Sequence, residues 1–352
     1  MKRTLMDEGQ IDYSTNGLFF GKRNIARLDI ETNKFISKLQ KTLQGQLWLP
    51  SDFSISNDSP KYAVMPKTLK TDYLKNLKFQ TMVDSLATRA IVECFLPISS
   101  DPELESYWVW HTLTENIHSQ SYADIIKALP VDAKEEFDDI IINDNIMNRA
   151  SNIVHHLDNL MNDKTPENLL MALYALVVME GALFQSSFVV SYAYAEDHGM
   201  TETGKVIQRI DLDENVHLTA GKYLIKSLLE RPEYKEIYNS RLEDIIKMFS
   251  DALVTDEEWV DYCITTPMKS LNKETLKTYI RYNISSLMRY MGLPNILPEK
   301  ITNPLNFISK YKNTKNLQIS LNETSGTNYL LGKIDSSTLD IQEILKEVNE
   351  SN

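Results

Sequence analysis

Two short spans of the chain pair a carboxylate with an imidazole at the same spacing: Glu115-Asn116-Ile117-His118 and Glu214-Asn215-Val216-His217. Residues three apart on an α-helix are separated by only about 60° in projection, so each span aims its two side chains at one point. One such pair arises readily by chance, whereas two, each within a strong apolar pattern, point to chemistry. Two further acids sit in apolar surroundings. Asp84 lies in Phe79-Gln80-Thr81-Met82-Val83-Asp84-Ser85-Leu86, and Glu180 is the only charge between Leu169 and Ala195. Asp84 alone reads as a satisfied buried acid, but Glu180 has no partner in its own helix and needs one from elsewhere. Together these residues make four carboxylates and two neutral imidazoles. Four acids meeting in a core repel and take up protons unless cations neutralise them, and two divalent ions match their charge. Oxygen-rich ligation with one nitrogen per ion suits iron or manganese better than zinc.

Tyr122 follows Glu115 by seven residues and His118 by four, so it faces the same side of its helix. A core tyrosine with a bonded hydroxyl is the plain alternative. Phe184 and Phe188 follow Glu180 at four and eight positions, and Ile210 precedes Glu214 by four. A dry aromatic pocket of this kind, beside an oxidising metal pair, would shield a phenoxyl radical from water and reductants. His111, four residues before Glu115, shares that face and either bonds a ligand carboxylate or joins the metal as a third histidine.

Long helices must position these groups, because 352 residues contain only 11 Gly and 12 Pro. Apolar patterning predicts helices at 67–96, 102–129, 133–160, 166–196, 201–228, 231–254 and 272–291. Asp101-Pro102-Glu103 and Thr165-Pro166-Glu167 read as caps with Pro at the first helical position. Gly199 and Gly292 mark helix stops, the second followed by Pro294. Residues 1–66 read as a loop-rich N-terminal part of one domain spanning 1–320, and 321–352 as a flexible polar tail. A carboxylate from each of two helices, with Glu-x-x-His from each of two others, is the known arrangement of ferritin-like di-iron and di-manganese bundles. The expected fold class is therefore all-α, a ferritin-like bundle with a di-metal carboxylate core.

Composition removes several other classes. With 37 Lys+Arg against 49 Asp+Glu the net charge is −12, which argues against a nucleic-acid partner. The stretch from Leu169 to Ala195 is long enough to span a membrane, yet Glu180 would sit near the bilayer centre. A central helix of a large core is the better reading, with no membrane partner. Cys94 and Cys263 stand 169 positions apart, so no C-x-x-C zinc or dithiol site exists, and such sparing use suits a reducing compartment. Met1-Lys2-Arg3-Thr4-Leu5-Met6-Asp7-Glu8 has no apolar region behind its basic residues, so a secretory signal is not expected and a cytoplasmic location is.

From about Phe19 to Asp335 the sequence resembles the small, radical-generating subunit of class I ribonucleotide reductases, most of all class Ia. The stretches that carry the resemblance are Asn76-Leu77-Lys78-Phe79-Gln80-Thr81, Pro102-Glu103-Leu104-Glu105, Glu115 through Tyr122, and Asp213-Glu214-Asn215-Val216-His217-Leu218. The resemblance implies that Asp84, Glu115 and His118 bind one metal and Glu180, Glu214 and His217 the other. It implies two iron ions per chain, with manganese as the alternative, that react with O2 and take an electron and a proton from Tyr122. Trp48, in Gln46-Leu47-Trp48-Leu49-Pro50, matches the family's redox tryptophan, and Asp213 the carboxylate linking it to His118. Tyr329, in Asn328-Tyr329-Leu330-Leu331-Gly332, matches the tail tyrosine that relays the radical, and Glu323 a tail glutamate implicated in that relay. The implied partners are a large subunit and a second copy of the chain, and the implied activity is reduction of ribonucleoside diphosphates by the two-subunit complex. Two remote cysteines cannot supply the reductive chemistry, and no Gly-rich phosphate cradle is present, so both belong on the large subunit.

The sequence departs from the class Ia pattern at four places. His111 stands where a tryptophan is usual. Leu212 replaces an arginine, beside an added acid, Asp211. Gln185 replaces a frequent tyrosine. Leu339-Asp340-Ile341-Gln342-Glu343-Ile344-Leu345 lacks the usual aromatic terminus, which points to docking on a cognate large subunit. Three rival classes share parts of this pattern. A di-metal oxidase or monooxygenase would use the six ligands but not Trp48, Asp213 and Tyr329 together. A ferritin-like iron store has no role for the tail. A metal-free interaction protein would be expected to lose ligands, and all six are present.

Overall fold

The computed structural model describes residues 4–298 and 300–312. Tyr329, Glu323 and the whole 321–352 tail lie outside the described residues. The helices begin where the caps require. Asp101 accepts hydrogen bonds from the backbone N–H of Glu103 (3.1 Å) and Leu104 (2.9 Å), and Pro102 opens the helix behind it. Thr165 caps in the same way through Asn168 N, and Gly199 ends a helix at φ 70°, where a side chain would be strained.

Ten helices carry the architecture: α1 (Lys34–Gly45), α2 (Lys67–Ala90), α3 (Pro102–Ala128), α4 (Ala133–Ile140), α5 (Asp144–Asn162), α6 (Pro166–Val178), α7 (Phe184–His198), α8 (Thr201–Leu229), α9 (Pro232–Cys263) and α10 (Lys273–Tyr290). Among the described residues there is no strand, only a single bridge between Phe19 and Ser99. The fold is an all-α, ferritin-like bundle. α2 packs on α3 and α7, while α8 packs on α3, α6 and α7. α5, α9 and α10 wrap the outside, with α10 against the junction of α6 and α7. Every residue from Leu169 to Ala195 is buried, so the apolar stretch that could span a membrane is the central helix of the protein.

Several elements differ from the sequence expectation. The helix expected over 133–160 breaks into α4 and α5, because Ile141 and Ile142 point outward and Asn143 bonds Asp139 (3.2 Å) and Tyr262 (2.9 Å). The helix expected over 67–96 stops being α at Ala90 and ends through a π turn at Ile91–Phe95, since Pro97 cannot continue it. The helix expected to stop at 254 runs on to Cys263. Within the loop-rich N-terminal part, α1 buries Ile36, Leu39 and Leu43 against α3.

A second π turn, Met179–Leu183, joins α6 to α7. Its loosened carbonyls are held by side chains from outside. Asn283 of α10 donates to Gly181 O (2.8 Å), and Arg149 of α5 donates to Leu183 O (3.0 Å). Arg149 is itself clamped between the rings of Phe79 (3.6 Å) and Trp259 (3.7 Å) and paired with Asp256.

Candidate metal centre

The four inner elements each contribute ligand-type atoms to one buried volume: Asp84 from α2, Glu115 and His118 from α3, Glu180 from the π turn, Glu214 and His217 from α8. Donor atoms of Asp84, Glu115, His118 and Glu214 lie within 4.8 Å of one another, as do those of His111, Glu115, Glu180 and His217. All seven residues are 0 % exposed. The two Glu-x-x-His pairs do more than share a point. Glu115 turns Oε2 toward His118 Nδ1 (3.6 Å) and Oε1 toward His217 Nδ1 (3.0 Å). Glu214 does the same, with Oε1 at 3.2 Å from His118 and Oε2 at 2.6 Å from His217. Both carboxylates therefore straddle the two halves of the cluster, while Asp84, 3.4 Å from His118, and Glu180 flank it. The far nitrogens are also fixed: His118 Nε2 faces Asp213 Oδ2 (3.1 Å) and His217 Nε2 faces Thr114 Oγ1 (3.0 Å).

The donor set fits divalent cations. Both oxygens of Asp84, both of Glu180, Glu115 Oε2, Glu214 Oε1 and His118 Nδ1 are buried without a hydrogen-bond partner. Such groups are costly to bury unless a cation or proton satisfies them. The protonation pattern is consistent with this. Burial raises the carboxyls of Asp84 and Glu180 well above the usual range, and neighbouring carboxylates push Glu180 further. Burial opposes charge on His118 and His217, but Glu214 and the other carboxylates around them together outweigh it, holding His118 well up and His217 at about 9. Burial would also raise Glu115, yet the imidazoles of His111, His118 and His217 beside it bring it well below the usual range. Without ions, protons on these groups stand in for the missing positive charge.

His111 Nε2 sits 3.0 Å from Glu115 Oε1 and 3.9 Å from Glu180 Oε1, with its ring stacked on His217 at 3.5 Å. Burial and the neighbouring His217 push it down to about 4, so it is neutral at pH 7. Its Nδ1 is buried without a partner, which favours the tautomer that places the proton on Nε2, donating to Glu115. Tyr122 is 0 % exposed, and its hydroxyl has no protein partner. Burial first, then Asp84, raises that phenol well above its ordinary value. Phe184, Phe188 and Ile210 are fully buried, the two phenyl rings stacked at 5.6 Å.

Trp48 reaches the cluster from the N-terminal part. Its Nε1 donates to Asp213 Oδ2 at 2.9 Å, the oxygen that also faces His118, and its ring lies 6.1 Å from the His118 ring at 18°. Gln46 Nε2 holds the other Asp213 oxygen at 2.5 Å.

A family model described as "Ribonucleotide reductase, small chain" matches residues 28–304. The chain belongs to this family. It is 30% identical to the "Ribonucleoside-diphosphate reductase subunit beta" of Haemophilus influenzae, over 96% of this chain and 97% of that protein. Its fold is that of the ribonucleotide reductase R2 subunit of Clostridium botulinum, with a TM-score of 0.81 and 22% identity over 89% of this chain and 98% of that one. It also resembles the dimanganese(II) NrdF of Streptococcus sanguinis, with a TM-score of 0.68 and 20% identity over 81% and 98% of the two chains. As a small chain of ribonucleotide reductase, the protein is an oxidoreductase component that works with a large subunit.

The departures at Leu212, Asp211 and Gln185 have local explanations, while the one at Leu339–Leu345 lies outside the described residues. Arg209, buried one turn before Asp213, offers the positive charge that Leu212 cannot; burial pushes its guanidinium down while Asp213 holds it up. Asp211 faces another way, accepting from Lys312 Nζ (2.6 Å), Tyr192 OH (2.8 Å) and the Gln185 amide (3.0 Å). Sequence reasoning missed Gln46, Thr114 and Arg209 as supports of the centre. Arg209 was visible as a charge at i−4 from Asp213, whereas Gln46 and Thr114 reach their partners only through tertiary packing.

Proposed function

We propose that this small chain holds two iron ions between Asp84, Glu115, His118 and Glu180, Glu214, His217, and uses O2 to generate a radical on Tyr122 for its large subunit. Manganese is the alternative that the same donors accept. The observation that carries this reading is the pair of straddling carboxylates, Glu115 and Glu214, amid orphaned donors and facing both histidines. Bound there, a redox-active ion pair supplies a one-electron oxidant fed by O2. The chain's own residues do the rest. Tyr122 is buried and its hydroxyl has no hydrogen-bond partner, which shields a phenoxyl radical from reductants in the solvent. Asp213 fixes Trp48 against His118 and provides a route for an electron with its proton. Tyr329 and Glu323 of the 321–352 tail extend that route to the large subunit, with 1–320 as the folded domain.

A homodimer belongs to the same proposal. Val109 and Leu113, one turn apart on the outer face of α3, are 57% and 39% exposed and offer an apolar stripe to a second copy. The buried, unpaired thiols of Cys94 and Cys263 suit a cytoplasmic setting. A di-metal oxidase on this bundle would have no use for Trp48, Asp213 and Tyr329 together. Loaded with iron and exposed to O2, the protein is expected to show a long-lived tyrosyl signal by electron paramagnetic resonance. Tyr122→Phe should remove that signal at unchanged iron content, and a long-lived signal of equal size in the variant would reject the assignment.

A further inference from the structure

Gln46 and Trp48 lie two residues apart on the short segment that follows α1, and both donate to one carboxylate on α8. Gln46 Nε2 bonds Asp213 Oδ1 at 2.5 Å, and Trp48 Nε1 bonds Oδ2 at 2.9 Å. His118 Nε2 faces that same Oδ2 at 3.1 Å. Leu47, between the two donors, turns outward and is 38% exposed, whereas Trp48 is buried. Only the amide nitrogen of Gln46 can serve Asp213, because its amide oxygen would meet a carboxylate oxygen with no hydrogen between them.

The segment is fixed at both ends. Gln46 caps α1 through its backbone N–H, which bonds Thr42 O at 3.1 Å, and α1 packs on α3, the helix that carries His118. Beyond Trp48, the Leu49 N–H bonds Asp52 Oδ2 at 2.9 Å, and the Phe53 ring meets the indole edge-on at 5.7 Å. Asp213 has no comparable restraint of its own, since the terminal torsion of an aspartate is broad and roughly two-fold. Arg209, buried one turn earlier on α8, attracts it. A carboxylate released at Oδ1 is free to turn toward that guanidinium and carry Oδ2 away from Trp48 and His118. The position next to Asp213 supplies no donor side chain against this, because Leu212 stands there.

We propose that Gln46 is a positioning residue of the radical route: it pins Asp213 by Oδ1, so that Oδ2 stays shared between Trp48 and His118. The proposal rests on the function put forward above. Gln46 gives up no proton or electron itself and acts only through the carboxylate it holds. The pairing of Trp48 with the metal centre is therefore set from the N-terminal part of the chain, by one neutral amide.

The test compares Q46M, which keeps the length of the side chain without a donor, with Q46K, which restores a donor at similar reach. The first readout needs no metal. In the full, metal-free chain, nuclear magnetic resonance follows deuterium exchange at the Trp48 indole N–H, assigned by its loss in W48F. Exchange should be about 10-fold faster in Q46M, as expected for one weakened hydrogen bond, and return toward the wild-type rate in Q46K. The second readout uses iron-loaded, O2-exposed protein with its large subunit. Q46M should match wild type in iron content, Tyr122 radical yield and apparent affinity for the large subunit, while kcat for nucleotide reduction falls roughly 10- to 100-fold. Q46K should recover most of that loss. Unchanged indole exchange in Q46M, or unchanged kcat, would overturn the proposal. So would a Q46K variant no better than Q46M, or a fall in turnover matched by an equal fall in iron or radical, which marks a merely structural role. Absence of any tyrosyl signal from iron-replete wild type would strike the proposed function instead, and the exchange measurement would still decide whether Gln46 pins Asp213.

Discussion

Glu115 and Glu214 hold the centre together because each has two oxygens and two imidazoles to serve. Their neighbours Asp84 and Glu180 are pushed up by burial, and His118 and His217 are held up by Glu214 and the other carboxylates around them despite burial. All four must shed protons to bind metal. His217, held at about 9, is protonated at neutral pH, so metal and proton compete for the same atoms. Divalent-metal affinity is therefore expected to rise with pH and fall as the solution is acidified. Calorimetric titration in buffers of different ionisation heats should report proton release on binding. An affinity that stays flat between about pH 6 and about pH 8 would contradict this charge pattern.

At the scale of elements, the π turn at Met179–Leu183 decides how Glu180 enters the cluster. Inserting a wider turn into a long apolar helix leaves carbonyls loosened, and Asn283 and Arg149 take two of them. Gly181 keeps the turn close to its neighbours: a Cβ there would lie 2.7 Å from Leu287 Cδ1 and 3.1 Å from Leu218 Cδ1. Gly181→Ala should therefore cost about 1–3 kcal/mol in folding stability, since overpacking forces side chains or backbone to shift. It should also weaken metal binding, because the displaced backbone carries Glu180. Urea unfolding and metal titration of the variant check the two effects, and a variant as stable as the parent with full metal content would count against this account of the turn.

For the whole molecule, α8 ties the metal centre to Trp48 on one side and to Lys312 on the other. Asp213 faces Trp48 and His118, and two residues earlier Asp211 accepts from Lys312, where the described chain ends. Under the proposed function, Tyr329→Phe should leave the Tyr122 radical and the metal content intact while abolishing nucleotide reduction with the large subunit. Turnover retained in that variant would take Tyr329 out of the route.

Much of the centre was legible in the chain because its information is local. Glu-x-x-His, the row from Glu115 to Tyr122, and Glu180 alone in an apolar stretch follow from helix periodicity and from the cost of burying charge, both of which can be read along one segment. The all-α class followed equally from scarce Gly and Pro and from caps such as Asp101-Pro102. Three features needed the tertiary structure. Whether Glu115 and Glu214 straddle both histidines depends on how α3 and α8 pack. The π turn around Glu180 is stabilised by Asn283 and Arg149, residues remote in sequence, so a single long helix was the natural expectation there. The orphaned state of Nδ1 on His111 is a property of everything that does not reach it, and no periodicity encodes an absent neighbour. Sequence alone determined which side chains share a helix face; only the packing of distant segments decided which atoms meet, because contacts between helices depend on the axial and rotational register of elements far apart in the chain.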